Sequence, residues 1–162
     1  MTAKLIYLGW FCLLFIVSCS TVKIPLETIN EVAHRIKNKE FKIDVKYANP
    51  SRGSQIYLTS DYDLRVKNDS AFAYLPYFGV AYLAPYNSSE GGIKFLEPMY
   101  DYVSVPNKKN NGWNIRFKVR SKISEVTILL NVFNNGSTSF TVSSYERDAI
   151  RFNGEMNLDS TK

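Results

Sequence analysis

The sequence predicts an all-β fold, a small antiparallel barrel or sandwich of about nine strands with one amphipathic helix on its N-terminal side. From residue 41 onward, hydrophobic residues recur at every second position, which is typical of half-buried strands. Short segments rich in Gly, Asn, Pro and Ser separate these runs, as turns between antiparallel neighbours do. No further helical pattern interrupts the strands, so we expect a sheet that closes on itself.

The N-terminal residues precede this fold and have the pattern of a targeting segment. Lys4 is followed by an apolar run from Leu5 to Val17, which is shorter than the roughly 20 residues that a membrane-spanning helix needs. The residues Ile16-Val17-Ser18-Cys19 resemble the bacterial lipobox, in which a signal peptidase cuts before a lipid-modified cysteine. The resemblance implies that Cys19 is the lipidation site and that its acyl chains anchor the protein to a membrane. An ordinary secretory signal with an incidental cysteine is the alternative.

The positions of the cysteines restrict the chemistry of the mature domain. The chain contains only Cys12 and Cys19, of which the first would leave with the signal peptide and the second would carry the lipid. We therefore expect no disulfide, no cysteine nucleophile and no cysteine metal site in the mature domain. The formal net charge of +5 is too small and too dispersed to favour nucleic acid as a partner.

The chain divides into five segments. We expect a lipoprotein signal peptide at residues 1–18, a lipidated tether at 19–24, a helix at 25–39, a β domain at 40–157 and a tail at 158–162. The helix prediction rests on an apolar stripe at three- and four-residue spacing, formed by Leu26, Ile29, Val32, Ala33 and Ile36. This stripe is expected to dock on the β domain, with contact to the membrane surface as the alternative.

The strands follow in order along the β domain. The first is predicted to bury one face, formed by Phe41, Ile43, Val45 and Tyr47. The run "AFAYLPYFGVAYLAPY" is apolar on both faces and contains Pro76 and Gly79, so we expect it to be buried, kinked or at a rim. Further strands are predicted at "QIYLTS", "DYDLRVK", "GIKFLEP", "DYVSVP", "GWNIRFKVRSK", "EVTILLNVF", "STSFTVSS" and "DAIRFNGEM".

Two surface features are candidates for ligand binding. The first is an aromatic run, formed by Tyr74, Tyr77, Phe78, Tyr82 and Tyr86. Aromatic rings stack on sugars and are frequent in protein hot spots, although strands also bury alternate aromatic residues in their cores. The second is a basic stripe along one strand, formed by Arg116, Lys118 and Arg120. It would meet acidic lipids, glycans or an acidic protein, and pairing with acids on adjacent strands is its structural alternative.

Catalytic and cofactor chemistry is not apparent from the sequence. The single histidine, His34, is predicted near the end of the helix, where a solvated role is expected rather than a catalytic one. No phosphate-binding loop and no metal-ligand spacing occur, so we expect no cofactor and no metal. A carboxylate pair for glycoside cleavage stays open as an alternative, with candidates Glu97, Asp101, Glu125, Glu146 and Asp148.

Three stretches resemble one protein family. They are "FKIDVKYANPSRGS", "YLTSDYDLRVKNDSAFAYLPYFGVAYLAPYNSSEGGIKF" and "TSFTVSSYERDAIRFNGEM", which together span about Phe41 to Met156. They are similar to small lipoproteins of Bacteroides-type bacteria that carry domain of unknown function 4251. The resemblance implies an envelope location and a β-rich fold, and it carries over no catalytic residue. In that group, surface-exposed lipoproteins carry acids after the acylated cysteine. Here "STVK" follows, so the resemblance favours an outer-membrane anchor that faces the periplasm.

These features favour a non-enzymatic lipoprotein of the cell envelope, anchored through acyl chains on Cys19. Its β domain is expected to bind an envelope protein, a glycan or a lipid, either in the barrel interior or on the aromatic and basic surfaces. One alternative is a hydrolase of envelope polymer with a carboxylate pair. The other is a lipid carrier, which would need a large apolar cavity.

Overall fold

The computed structural model describes residues 23–82, 91–109, 111–121 and 124–159. Cys12, Cys19 and Tyr86 lie outside these residues, as do the predicted signal peptide and lipobox. The described elements are α1 (Leu26–Lys37), β1 (Glu40–Asn49), β2 (Ile56–Lys67), β3 (Ser70–Leu75), β4 (Ile93–Pro106), β5 (Gly112–Arg120), β6 (Glu125–Phe133), β7 (Ser137–Ser144) and β8 (Arg147–Met156).

The strands form a closed antiparallel barrel in sequence order. Each strand pairs with its sequence neighbours, and β8 pairs with β1 to complete the ring. The all-β prediction with one N-terminal helix is confirmed, and the β1–β8 pairing selects the barrel over the sandwich. Closure removes unpaired sheet edges, which are a liability in an open sheet.

The described residues contain eight strands because two predicted breaks are bends within a strand. "QIYLTS" and "DYDLRVK" form the single strand β2, while "GIKFLEP" and "DYVSVP" form the single strand β4. In β4 the register against β5 shifts between Tyr100 and Val103, and Asp101 there has a φ of 54°. Such a bulge bends a strand without ending it. By contrast, β3 ends at Leu75, since Pro76 lacks the N–H that the ladder needs.

The barrel interior is packed with apolar side chains. Inward-facing residues from every strand join Val32 and Ile36 of the helix in one hydrophobic cluster. Phe117, Phe140 and Phe152 are fully buried in it. The rings of Phe140 and Phe152 stack with centroids 5.3 Å apart. Burying one such side chain contributes roughly 1.5–3 kcal/mol, so this cluster is the main source of stability.

Helix α1 docks on the barrel through part of its predicted stripe. Val32 and Ile36 are fully buried, whereas Leu26 at the start of the stripe is exposed. The hydroxyl of Tyr102 in β4 donates a hydrogen bond to the Ile36 carbonyl oxygen at 3.2 Å. The helix ends because Lys39, with a φ of 53°, turns the chain into β1. The prediction that the helix docks on the β domain is therefore confirmed, although fewer residues of the apolar stripe are buried than expected. No helix in the described parts of the chain has the length and apolar character needed to cross a membrane.

The packed interior predicts the effect of a cavity. Phe152→Ala is expected to lower the free energy of unfolding by about 3–5 kcal/mol, because the buried ring is lost and its stacking partner Phe140 cannot fill the space. Leu129→Ala, on the exposed face of β6, is the control and is expected to change it by less than about 0.5 kcal/mol. Urea unfolding followed by circular dichroism measures both. If Phe152→Ala and Leu129→Ala lowered the free energy of unfolding equally, the interior around Phe152 would not be tightly packed.

The docked helix also predicts a dependence on pH. Burial raises the pKa of Tyr102 from 10.0 to about 12. The folded state thus holds the phenol proton more tightly than the unfolded state does, so this contribution to stability is complete below pH 10 and is lost as the pH rises towards 12. Tyr102→Phe lacks the titrating group and the hydrogen bond to Ile36. The stability advantage of the native protein over this variant is expected to shrink between pH 9 and pH 11.5, as measured by chemical unfolding. If the stability difference between the native protein and Tyr102→Phe stays constant over this pH range, the raised pKa of Tyr102 does not contribute to stability.

Candidate ligand-binding groove

A groove of about 710 Å³ lies on the outer surface of the barrel, across β7, β8 and β1. Its position follows from the strand register, because directly opposed residues of an antiparallel pair lie on the same face. Asn153 of β8 lies opposite both Tyr47 of β1 and Ser139 of β7, and Asn49 lies opposite Arg151. Side chains from three strands therefore share one concave surface.

A β-bulge in β1 creates this surface and corrects the sequence prediction for Tyr47. Against β8, Lys46 is an extra residue of β1 between the paired Val45 and Tyr47, whereas against β2 the extra residues lie in β2, at 58–61. The extra residue, Lys46, turns Tyr47 outward, so that it is 38% exposed instead of buried beside Val45. Gly154 lies opposite Val45, where a Cβ would collide with the carbonyl oxygen of Asp44. The glycine thus allows the close approach of β8 to the bulge.

Aromatic rings stand at two sides of the groove. Tyr47 contacts the ring of Tyr57 on β2, with centroids 5.4 Å apart and planes at 60°. Phe133, at the end of β6, is 41% exposed. The groove therefore offers flat apolar surfaces next to polar groups, a combination that favours ligands with both characters.

Two buried polar atoms at the groove have no hydrogen-bond partner among the described residues: Asn49 Nδ2 and Asn153 Oδ1. Two other side-chain atoms in the described part of the chain share this property: Glu146 Oε1 and Thr138 Oγ1, the latter on the inner face of the barrel opposite Val132. Asn49 Oδ1 accepts a hydrogen bond from Gln55 Nε2 at 3.0 Å, which holds the amide in place. Leaving a buried polar atom unpaired costs about 1–3 kcal/mol, so the cluster indicates a place where ligand groups complete the bonding.

The predicted aromatic run does not form one site. Tyr74 lies on β3, with its ring 5.3 Å from Tyr62. Tyr77 donates hydrogen bonds to the carbonyl oxygens of Val80 and Asp148 at 2.8 and 3.2 Å, and burial raises its pKa. These contacts fasten the loop after β3 to the start of β8.

Two other predicted aromatic residues lie on the same loop and are partly exposed. Tyr82 is 62% exposed and donates a hydrogen bond to Asp148 Oδ1, which raises the pKa of its hydroxyl. Phe78 is 37% exposed, and Tyr86 lies outside the described residues. The rings of Tyr77 and Tyr82 thus have a visible structural role in holding this loop. Ligand binding by these residues stays a prediction.

The basic stripe lies on the outer face of β5 and is partly neutralised. Lys118 Nζ lies 2.9 Å from Glu125 Oε1 of β6 and 3.9 Å from Asp101 Oδ2 of β4. Tyr100 donates a hydrogen bond to Glu125 Oε2 at 2.6 Å. The bonds from Tyr100 and Lys118 lower the pKa of Glu125, and the bond to Glu125 raises the pKa of Lys118.

The stripe and the aromatic loop belong to different strands, since the stripe lies on β5, which pairs with the second half of β4, and the loop follows β3, which pairs with the first half. Arg116 and Arg120 are exposed on either side of Lys118. Ligand binding by the stripe also stays a prediction.

The candidate carboxylates are distributed over several places. Asp101 and Glu125 both contact Lys118 on the exposed outer surface, and Asp148 contacts Tyr82. Glu146 is buried and lines a separate cavity. Within the described ranges, no three His, Cys, Asp or Glu side chains are close enough together to hold a metal ion.

Comparisons with known proteins identify the fold and no activity. A family model described as "Domain of unknown function (DUF4251)" matches residues 26–156. A solved structure, the crystal structure of a DUF4251 family protein from Bacteroides eggerthii, is 15% identical, with a TM-score of 0.62. The alignment covers 80% of this chain and 87% of that one. Among curated proteins, none has a sequence that matches this chain significantly.

Proposed function

The chain belongs to the DUF4251 family, and we propose that it is a non-enzymatic lipoprotein of the cell envelope whose barrel binds a glycan in the groove of β7, β8 and β1. The observation that carries this proposal is the pair of unpartnered buried polar atoms, Asn49 Nδ2 and Asn153 Oδ1, in a groove bordered by Tyr47 and Phe133. We place the glycan site on the outer surface because apolar side chains fill the interior of the barrel.

The packed interior argues against the lipid-carrier alternative. A carrier needs an enclosed apolar space of several hundred cubic ångströms. The described interior holds the stacked rings of Phe140 and Phe152 and the buried ring of Phe117 in that place. We therefore place the glycan on the outside of the barrel.

A glycan fits the chemistry of the groove. Each sugar ring presents hydroxyls around its edge and an apolar face of C–H groups. The amides of Asn49 and Asn153 and the hydroxyl of Ser139 match the edge, since they donate and accept hydrogen bonds. The rings of Tyr47 and Phe133 match the apolar face. Lys46, Arg151 and Glu155 also line the groove and provide charged hydrogen-bonding groups.

A lipid anchor would place this groove near envelope glycans. From Cys19 to Pro25 the chain has seven residues, which reach at most about 25 Å when extended. The barrel would thus stay close to the membrane surface, where its ligand would be envelope polymer. The proposed orientation is an outer-membrane anchor that faces the periplasm.

The groove predicts which residues weaken glycan binding. Against a panel of defined oligosaccharides that includes peptidoglycan fragments, Tyr47→Ala is expected to weaken binding roughly tenfold, about 1.4 kcal/mol, because a stacking surface is lost. Asn153→Ala is expected to weaken binding similarly while leaving the free energy of unfolding unchanged or higher, since an unpaired buried oxygen is removed.

The control for these variants is Tyr145→Ala, an exposed tyrosine in the turn between β7 and β8. It should bind like the native protein in calorimetric titrations. Native protein that binds no oligosaccharide of the panel, or a Tyr47→Ala variant with unchanged affinity, would refute glycan binding in the groove.

The lipid anchor has its own test in the native host. Cys19→Ala is expected to abolish incorporation of labelled palmitate and to release the protein from the membrane fraction, since the thioether cannot form. Cys12→Ala is the matched control and should keep both label and membrane association. Label that survives Cys19→Ala would exclude this anchor and leave the groove proposal intact.

A further inference from the structure

A second cavity, of about 190 Å³, lies at the end of the barrel where β4 begins and where β7 turns into β8. Its apolar lining is formed by Ile93, Phe95, Val126 and Val142. Its polar lining includes the three serines Ser121, Ser124 and Ser144 and the carboxylate of Glu146. Its volume is several times the roughly 30 Å³ that one water molecule takes up in the liquid, so a small organic molecule can enter.

Glu146 is the unusual group in this cavity. Its side chain belongs to a residue that is only 5% exposed, and Oε1 has no hydrogen-bond partner among the described residues. The main chain is held in place, because the Tyr82 N–H donates a hydrogen bond to the Glu146 carbonyl oxygen at 2.7 Å. A buried carboxylate without a partner is costly, since the charge is removed from water without compensation.

The nearby cations are directed towards aromatic rings. The guanidinium of Arg147 lies 4.8 Å from the ring centroid of Tyr77, and the ammonium of Lys94 lies 5.0 Å from that of Tyr74. Arg147 forms no ion pair with Glu146 within 4.0 Å among the residues that the structure describes. Because Glu146 lines the cavity and its Oε1 has no hydrogen-bond partner, a ligand can supply the donor that this oxygen lacks.

We propose that this cavity binds a small primary amine with an apolar body. The ammonium group pairs with Glu146 Oε1 and donates to the serine hydroxyls of the wall, while the hydrocarbon portion packs on Phe95 and Val142. The carboxylate then gains the charged hydrogen bond that the protein itself does not provide. This site is separate from the groove of β7, β8 and β1, and its occupancy does not depend on glycan binding.

The test is calorimetric titration of the purified mature domain with three matched probes: leucine, isopentylamine and N-acetyl-leucine. Binding of either amine, with at least tenfold weaker binding of N-acetyl-leucine, is expected. Preference for leucine would point to an amino acid as the natural ligand, and preference for isopentylamine to a simple amine. Equal binding of N-acetyl-leucine, or no binding of either amine, would overturn the proposal.

Glu146→Gln keeps the shape of the side chain and removes its charge. It is expected to weaken binding of the preferred amine at least tenfold and to raise the melting temperature of the ligand-free protein, because the uncompensated charge is gone. Glu40→Gln, at an exposed position at the start of β1, is the control and should change neither. Unchanged amine affinity in Glu146→Gln would overturn the assignment of Glu146.

Discussion

The pairing of β1 with both β2 and β8 is the constraint on which the rest of this structure depends. It closes the barrel, and closure gives every inward side chain a place in one core. The same strand contains the bulge at Lys46, which is the extra residue of β1 in its pairing with β8. The bulge bends the strand, turns Tyr47 outward and makes the outer surface concave where Asn153 and Gly154 lie opposite. The bulge at Lys46 in β1 thus shapes the candidate binding surface.

In this barrel, different residues contribute to stability and to the candidate binding sites. Its interior is filled mainly by aromatic and aliphatic side chains, so it contributes stability and leaves little room for a ligand. Among the described residues, three of the four unpaired polar atoms lie outside this core, in the groove and at the barrel end, while Thr138 Oγ1 faces the interior. Natural proteins tolerate such costs mainly where a ligand or water completes the bonding. The distribution of unsatisfied groups therefore points to binding sites at the periphery of the barrel.

Sequence periodicity predicted the parts of the fold that depend on local geometry. Alternation in "EVTILLNVF" and "STSFTVSS" placed β6 and β7 correctly, because strand side chains alternate with a fixed period of two. The same argument placed Arg116, Lys118 and Arg120 on an outer face. It also gave a wrong face for Tyr47, since a bulge changes the alternation without a clear sequence signal. The groove residues were missed for this reason, and the candidates Tyr77 and Tyr82 were found to hold a loop.

The sequence by itself determined that the chain forms antiparallel strands with a docked N-terminal helix, because hydrophobic period and turn residues act over a few neighbouring positions. It also contains the lipobox-like pattern at Cys19, which is read along the chain and does not depend on folding. Only the tertiary structure decided that the sheet closes, that Asn49 and Asn153 line one groove across β1 and β8, and that Glu146 is buried without a partner. These outcomes depend on pairings between residues about a hundred positions apart, and no local pattern encodes the register of such a pairing.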